Sequence, residues 1–296
     1  MSVTAQEISS QPDLWVRAAE LAAELDGVLP AAGQEVCVIG CGTSWFMGQA
    51  YAALRESCGH GRTDAFAASE VPMRDYDVVL ALSRSGTTTE VARALMRSSR
   101  SRTVAITAVP DSPVAHAADD VVSLDFADET SVVQTRFATT ALSVLRAHEG
   151  LDVGPSVADA RAALDAPLPV APGAADRWAF HGRGWTVGLA SEAALKLRES
   201  AQAWTEAYPA FEYRHGPISI AGPGAAVWFF GPPDDSLLES VRATGAIAVA
   251  PELDPLASLV LAQRTGVALA EAADLDPDRP RNLTRSVVLS TTEVPS

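Results

Sequence analysis

The chain is poor in cysteine, in basic residues and in long apolar runs, and each shortage removes a class of protein. Cys37, Cys41 and Cys58 are its three cysteines. An odd number, with no Cys-x-x-Cys spacing and no histidine partners, indicates neither a disulfide framework nor a zinc site, so reduced thiols and no metal are expected. With 22 Lys and Arg against 37 Asp and Glu, the formal charge is −15. Nucleic-acid backbones are bound by basic stripes, and none is visible here, so nucleic acid is not an expected partner. No apolar run approaches the roughly 20 residues that span a bilayer. The N-terminus, Met1 to Glu7, has neither the basic leader nor the apolar core of a secretion signal, and a cytoplasmic protein is expected.

What is present is globular: 48% hydrophobic and 20% charged residues over 296 positions, enough for one large or two ordinary domains. From Val36 short apolar runs alternate with longer amphipathic ones. Val36–Ile39 precedes Trp45–Cys58, Val78–Leu82 precedes Thr88–Arg97, and Thr103–Thr107 and Val121–Phe126 follow. Apolar strands separated by helical stretches make βαβ units and a parallel sheet covered on both faces. A second series runs from Trp178–Phe180 through a helix at Leu189–Ala201, a strand at Ala225–Phe230, a helix at Ser236–Thr244 and a strand at Ala246–Ala250. The reading is therefore an α/β protein of two tandem, doubly wound parallel-sheet units. Residues 1–35 form an N-terminal helical segment, 36–150 the first unit, 151–176 an Ala-, Pro-, Gly- and Asp-rich linker, and 177–296 the second unit with a C-terminal segment. The units look alike: Gly40-x-Gly42 recurs as Gly182-x-Gly184 at an offset of 142, and Leu54-Arg55-Glu56-Ser57 recurs at Leu197 at an offset of 143. Matching positions in two βα units suggest duplication.

An acidic protein that binds an anion must do so locally, through backbone amides and a few polar side chains. Ser83-Arg84-Ser85-Gly86-Thr87-Thr88-Thr89-Glu90 follows a buried strand and opens a helix, with Thr87 and Glu90 at capping-box spacing. Helix-start amides, hydroxyls and Arg84 make it the best anion site in the chain, although an ordinary polar turn has the same composition. Gly40-Cys41-Gly42-Thr43-Ser44 also leaves a strand for a helix, but it lacks the third glycine of a dinucleotide fingerprint. Glu192, Lys196 and Glu199 share one face of a helix by their i, i+4, i+7 spacing, a pattern that a merely solvated face also shows. His215 sits in a Gly-Pro turn behind Glu212, where an imidazole could titrate or simply face solvent.

Together, Cys41-Gly42-Thr43-Ser44, Ser83-x-Ser85-Gly86-x-Thr88, Glu129-x-Ser131-Val132-x-Gln134-Thr135, the Glu192–Glu199 segment and Glu212-x-x-His215-Gly216-Pro217 resemble the sugar isomerase (SIS) family. The likeness is to the isomerase half of glucosamine-6-phosphate synthase and to stand-alone phosphosugar isomerases, deaminases and deglycases. The resemblance implies flavodoxin-like, SIS-type units that hold a phosphorylated sugar or amino sugar without a cofactor. It places the sugar phosphate against Ser83, Ser85 and Thr88, with Thr43, Ser44 and Gln134 reaching the sugar hydroxyls or the phosphate; Arg84 and Lys196 are further candidates for binding the substrate or its phosphate. It implies Glu199 as the base that moves a proton between adjacent carbons through an enediol or enamine. It also implies a homodimer whose His215 serves the neighbouring subunit's site. Two departures matter. Only Met1 to about Gly33 precedes the first unit, so a glutaminase domain and glutamine-fed amination are not expected. Where relatives carry an imine-forming lysine near the C-terminus, this chain has Arg285, whose guanidinium stays protonated and acts electrostatically instead. The competing readings are a sugar-phosphate sensor without turnover and, more remotely, a nucleotide-dependent oxidoreductase on the Gly40-x-Gly42 turn.

Overall fold

The computed structural model describes residues 1–289; the last seven positions of the expected C-terminal segment lie outside the described residues. Two short helices, α1 (Val3–Ser9) and α2 (Gln11–Ala22), precede the first unit. That unit comprises β1 (Val36–Gly40), α3 (Thr43–Ser57), β2 (Thr63–Ala67), β3 (Val78–Ser83), α4 (Thr89–Arg97), β4 (Arg102–Thr107), α5 (Pro113–His116), β5 (Asp120–Ser123) and α6 (Arg136–His148). Then come α7 (Gly154–Asp165) and the second series: β6 (Arg177–Gly182), α8 (Thr186–Ala201), β7 (Trp204–Pro209), β8 (Ala225–Phe229), α9 (Asp235–Ala243), β9 (Ile247–Val249) and α10 (Pro255–Ala272).

The strands form two all-parallel sheets, of five strands in the order β2-β1-β3-β4-β5 and of four in the order β7-β6-β8-β9. The second order repeats the first without its last strand, and the repeat extends to the backbone. Gly42 and Gly184 share φ +53°, and a Cβ on Gly40 or Gly182 would meet the first turn of the following helix at 2.7 and 2.2 Å. In each unit the chain must therefore turn from strand to helix too tightly for a side chain.

Burial on both faces explains why β1, β3 and β8 read as unbroken apolar runs. Successive residues of β1 enter different cores, Val36 and Val38 packing with Trp15 and Phe137, Cys37 and Ile39 with Val91 and Leu95. The larger core is continuous across both units, because α3 and α8 cross closely at Gly188, where a Cβ would lie 2.4 Å from the Phe46 carbonyl oxygen. The stretch expected as a linker carries α7, which buries Val157, Ala160 and Ala163. The strand expected to reach Phe126 ends at Ser123, where Asp125–Ala127 form a 3-10 turn.

After α10 the chain runs back along the molecule as a strap. The Asp278 carboxylate accepts from the Val3 and Thr4 amides at 2.9 and 2.7 Å, and its carbonyl accepts from the Val132 amide at 3.1 Å. Beyond that point Leu283 to Val287 reach the start of α4.

Candidate active site

The carboxyl ends of β1 and β3, the first turn of α4, the 132–134 segment, Glu199 of α8 and the strap enclose a cavity of about 210 Å³. Of the residues singled out in the sequence, Thr43, Ser44, Ser83, Arg84, Ser85, Thr88, Gln134, Glu199 and Arg285 border it. Parallel α/β sheets bind ligands at this edge because strand ends and helix starts converge there.

The loop Ser83–Thr88 is shaped by its neighbours. Gly86 has φ +66°, and a Cβ there would lie 2.0 Å from Ser112 Oγ, so only glycine fits. The capping box expected from Thr87 and Glu90 does not form. Thr88 is the residue that starts the helix, while Thr87 Oγ1 bonds Ser85 Oγ at 3.1 Å and Ser286 Oγ of the strap at 2.9 Å. Ser83 Oγ, Gln134 Nε2 and Glu90 Oε2 are buried without a protein partner. Buried polar atoms are normally bonded, and three that are not, around one cavity, mark it as a polar ligand site. Glu90 is a second carboxylate beside Glu199 on this cavity; sequence reasoning gave it only a capping role.

Arg84 borders the cavity but is directed elsewhere. Its terminal nitrogens donate to the carbonyls of Ser131, Val132 and Arg285 at 3.1, 3.2 and 3.0 Å, and it faces Glu129 at 3.6 Å. It clamps the loop to the cavity's wall and to the strap instead of facing a phosphate. Glu129 is fully buried, and burial pushes its carboxyl above the usual range despite the Arg84 charge. It accepts from the Thr135 and Arg136 amides at 2.5 and 2.8 Å, which fixes the turn that presents Gln134. Arg285, expected to act on the ligand, bonds the Asp128 carboxylate and the Glu129 carbonyl. In this arrangement it anchors the strap.

Lys196 does not border the cavity. It is the chain's single lysine, a scarcity legible in the sequence, and it is buried between Glu192 at 3.5 Å and Glu199, which it hydrogen-bonds. Burial alone would lower the pKa of this ammonium, but the two carboxylates outweigh it and hold it above the ordinary value. Glu192 is the converse case. Burial pushes its carboxyl up to about 8, against the opposing pull of Lys196, and Thr43 Oγ1 donates to it at 3.2 Å. The charge of Lys196 is thus balanced by Glu199, with Glu192 largely protonated at neutral pH. The consequence for Glu199 is a fixed position at the cavity's edge.

His215 is exposed, in a short 3-10 segment (Ala210–His215) away from this chain's cavity. The second unit has no counterpart of the Ser83–Thr88 loop. Its equivalent turn reads Pro232-Pro233-Asp234-Asp235, and Asp234 caps α9 by accepting from the Leu237 amide at 3.0 Å, so a carboxylate already occupies the anion position. Among the described residues no group of three or more His, Cys, Asp or Glu could hold a metal ion, and no helix is long and apolar enough to cross a membrane.

A site at the carboxyl edge of a parallel sheet, set between two repeated units, defines a class, and the family model of the SIS domain matches residues 32–148. That region of the chain is similar to SIS domains. The chain is similar to glutamine–fructose-6-phosphate aminotransferase [isomerizing] of Methanothermobacter thermautotrophicus, 28% identical over 90% of this chain and 54% of the relative. The same enzyme of Pyrobaculum aerophilum is 29% identical over 96% and 57%. The chain spans about half the length of these curated relatives. Solved structures share the fold. Glucosamine-6-phosphate deaminase of Thermotoga maritima superposes with a TM-score of 0.85 at 24% identity, covering 97% of this chain and 100% of that one. Tagatose-6-phosphate ketose/aldose isomerase of Escherichia coli gives 0.81 at 18%, covering 99% and 97%.

Proposed function

We propose that this protein is an enzyme acting on a phosphorylated sugar or amino sugar, as an aldose–ketose isomerase or as a deaminase or deglycase. The observation that carries the reading is the convergence of Ser83, Ser85 and Thr88 at a helix start with Thr43, Ser44, Gln134 and Glu199 around one cavity. The phosphate sits against the first amides of α4 and the Ser and Thr hydroxyls, where the dipole and free N–H groups favour an anion. The sugar then extends toward Gln134 and Glu199. Isomerisation and loss of an amine beside a carbonyl begin alike, by removal of a proton from the carbon next to the carbonyl. Glu199 takes that proton and returns it to the neighbouring carbon through an enediol or enamine. Lys196 fixes its carboxylate, and Arg285 holds the strap closed over the ligand.

The enzyme works without an imine to its own chain, because Arg285 cannot form one and Lys196 is buried away from the cavity and held charged by its ion pair with Glu199. It functions as a cytoplasmic homodimer in which His215, exposed and remote from its own cavity, completes the neighbour's site as the acid that opens the sugar ring. The relatives' names, which concern fructose 6-phosphate, glucosamine 6-phosphate and tagatose 6-phosphate, support a phosphosugar as the ligand class.

Calorimetry with hexose and amino-hexose 6-phosphates tests the phosphate assignment. They should bind far more tightly than the free sugars, and the Ser85→Ala, Thr88→Ala double variant should lose most of that advantage. Unchanged affinity in the double variant refutes it.

A further inference from the structure

Beyond Glu199 the site does not end. A second cavity of about 340 Å³ is lined by Leu195, Arg198, Glu199, Gln202, Arg281 and Leu283 among others, and it shares Glu199 and Leu283 with the first. The two therefore adjoin one another. The first holds the hydroxyl-rich loops; the second holds two arginines. Among the described residues neither arginine has an acidic ion-pair partner, whereas eleven of the other arginines do, in a chain of net charge −15. A basic side chain in the last turn of a helix complements the helix dipole, and that suffices for Arg198. It does not explain Arg281, which lies in the strap's approach and belongs to no helix.

The backbone around this chamber is also unusual. Of the non-glycine residues with positive φ among the described residues, Gln202 (53°) and Asn282 (65°) lie on its lining; Gln202 is the left-handed C-cap of α8, its backbone amide donating to the Arg198 and Leu197 carbonyls, whereas Asn282 ends no helix. Left-handed conformations cost free energy in residues with a Cβ, and they cluster where a site needs particular side chains. The only acid on the lining, Glu199, is already bonded to Lys196 and does not neutralise the arginines.

Resting on the phosphosugar reading, we propose that the second chamber binds a second anionic group of the substrate, carried at the end of the sugar remote from its phosphate. The substrate class is thus a sugar phosphate with a carboxylate or another oxyanion beyond the reacting carbons, with Arg198 and Arg281 as its specificity residues. The planar guanidinium fork matches both anions, forming paired charge-assisted hydrogen bonds.

Titration calorimetry with three probes separates the possibilities: glucose 6-phosphate, with no second anion; 6-phosphogluconate, with a carboxylate at the far end; and fructose 1,6-bisphosphate, with a phosphate there. The native protein should bind at least one of the doubly anionic probes about ten- to a hundredfold more tightly than glucose 6-phosphate, the range for hydrogen bonds to charged groups. Which of the two is favoured identifies the anion. Arg198→Ala and Arg281→Ala should each reduce that preference and together abolish it, with glucose 6-phosphate affinity unchanged. Both side chains are exposed, so the variants fold. If glucose 6-phosphate binds and neither doubly anionic probe is preferred, or if the preference survives in the double variant, this inference fails and the phosphosugar reading stands. If no sugar phosphate binds, both fail. A double variant whose only change is in oligomeric state also overturns the proposal, making the chamber a subunit contact.

Discussion

Replacing Glu192 by glutamine should leave stability nearly unchanged in mild acid and raise it progressively as the solution becomes alkaline. Glu192 is wholly buried, and its carboxyl titrates at about 8 instead of 4.5, chiefly through burial. A carboxyl whose folded pKa is raised binds its proton more tightly in the folded protein. Its contribution is therefore fully present below the unfolded pKa of 4.5 and is lost as pH rises through about 8. Each tenfold difference in proton affinity between the folded and unfolded chain is worth about 1.4 kcal/mol, so the wild type should lose about 3 kcal/mol relative to the variant between about pH 5.5 and about pH 8.5. Glutamine is uncharged throughout, has nearly the same shape and can still accept from Thr43. The assay is chemical denaturation of both proteins across that range, read as the difference between their stabilities. A difference independent of pH would refute the claim that Glu192 is protonated in the Lys196 cluster at neutral pH.

Lys196→Met should destabilise the protein by about 3 kcal/mol or more, because it leaves the Glu199 carboxylate without its partner and removes the charge that holds the Glu192 carboxyl down, so the cost should be larger above about pH 8 than near pH 6; thermal denaturation at about pH 6 and in alkaline solution checks the order. Gly188→Val places a side chain against the Phe46 carbonyl at a spacing of 2.4 Å and should cost about 1–3 kcal/mol by forcing α3 and α8 apart, so an unchanged melting temperature would contradict the observed helix crossing. Glu199→Gln and His215→Ala, each inactive alone, should partly restore activity when combined in mixed dimers, and failure in verified mixed dimers would place both residues in the same subunit's site.

The sequence made the central strands plain because they are buried on both faces. Val36–Ile39, Val78–Leu82 and Ala225–Phe230 lie within a residue of β1, β3 and β8. Of the edge strands, β5 and β9 were legible within a few residues, but β2 and β7 were not. β2 (Thr-Asp-Ala-Phe-Ala) is half-exposed along most of its length and carries no unbroken apolar run, and β7, with Trp204 71% exposed, reads as a set of scattered aromatics. Helix α10 buries most of its circumference between α7 and α8, so it lacks the one-sided pattern that marks a surface helix. The two phosphate-type loops were visible as strand-to-helix turns rich in Gly, Ser and Thr. Side-chain direction was not. Arg84 and Arg285 belong to the right loops, yet their guanidiniums turn to backbone carbonyls and to acids distant in the chain, Arg84 to Glu129 and Arg285 to Asp128. Lys196 shares a helix face with Glu199, but only the packing of α3 on α8 decides that the ammonium is sealed in while the carboxylate reaches the cavity.

The central claim is that Glu199 moves a proton on a bound phosphosugar. The direct measurement is exchange of the hydrogen beside the substrate carbonyl with deuterated water, followed by proton resonance for the wild type and for Glu199→Gln, each at a ligand concentration shown by calorimetry to saturate it. The wild type should exchange that hydrogen, and Glu199→Gln should bind intact with exchange slowed by about 10²–10⁴. Full exchange by the variant, or a wild type that binds the sugar phosphate and never exchanges that hydrogen, would contradict it, the latter outcome being that of a sensor.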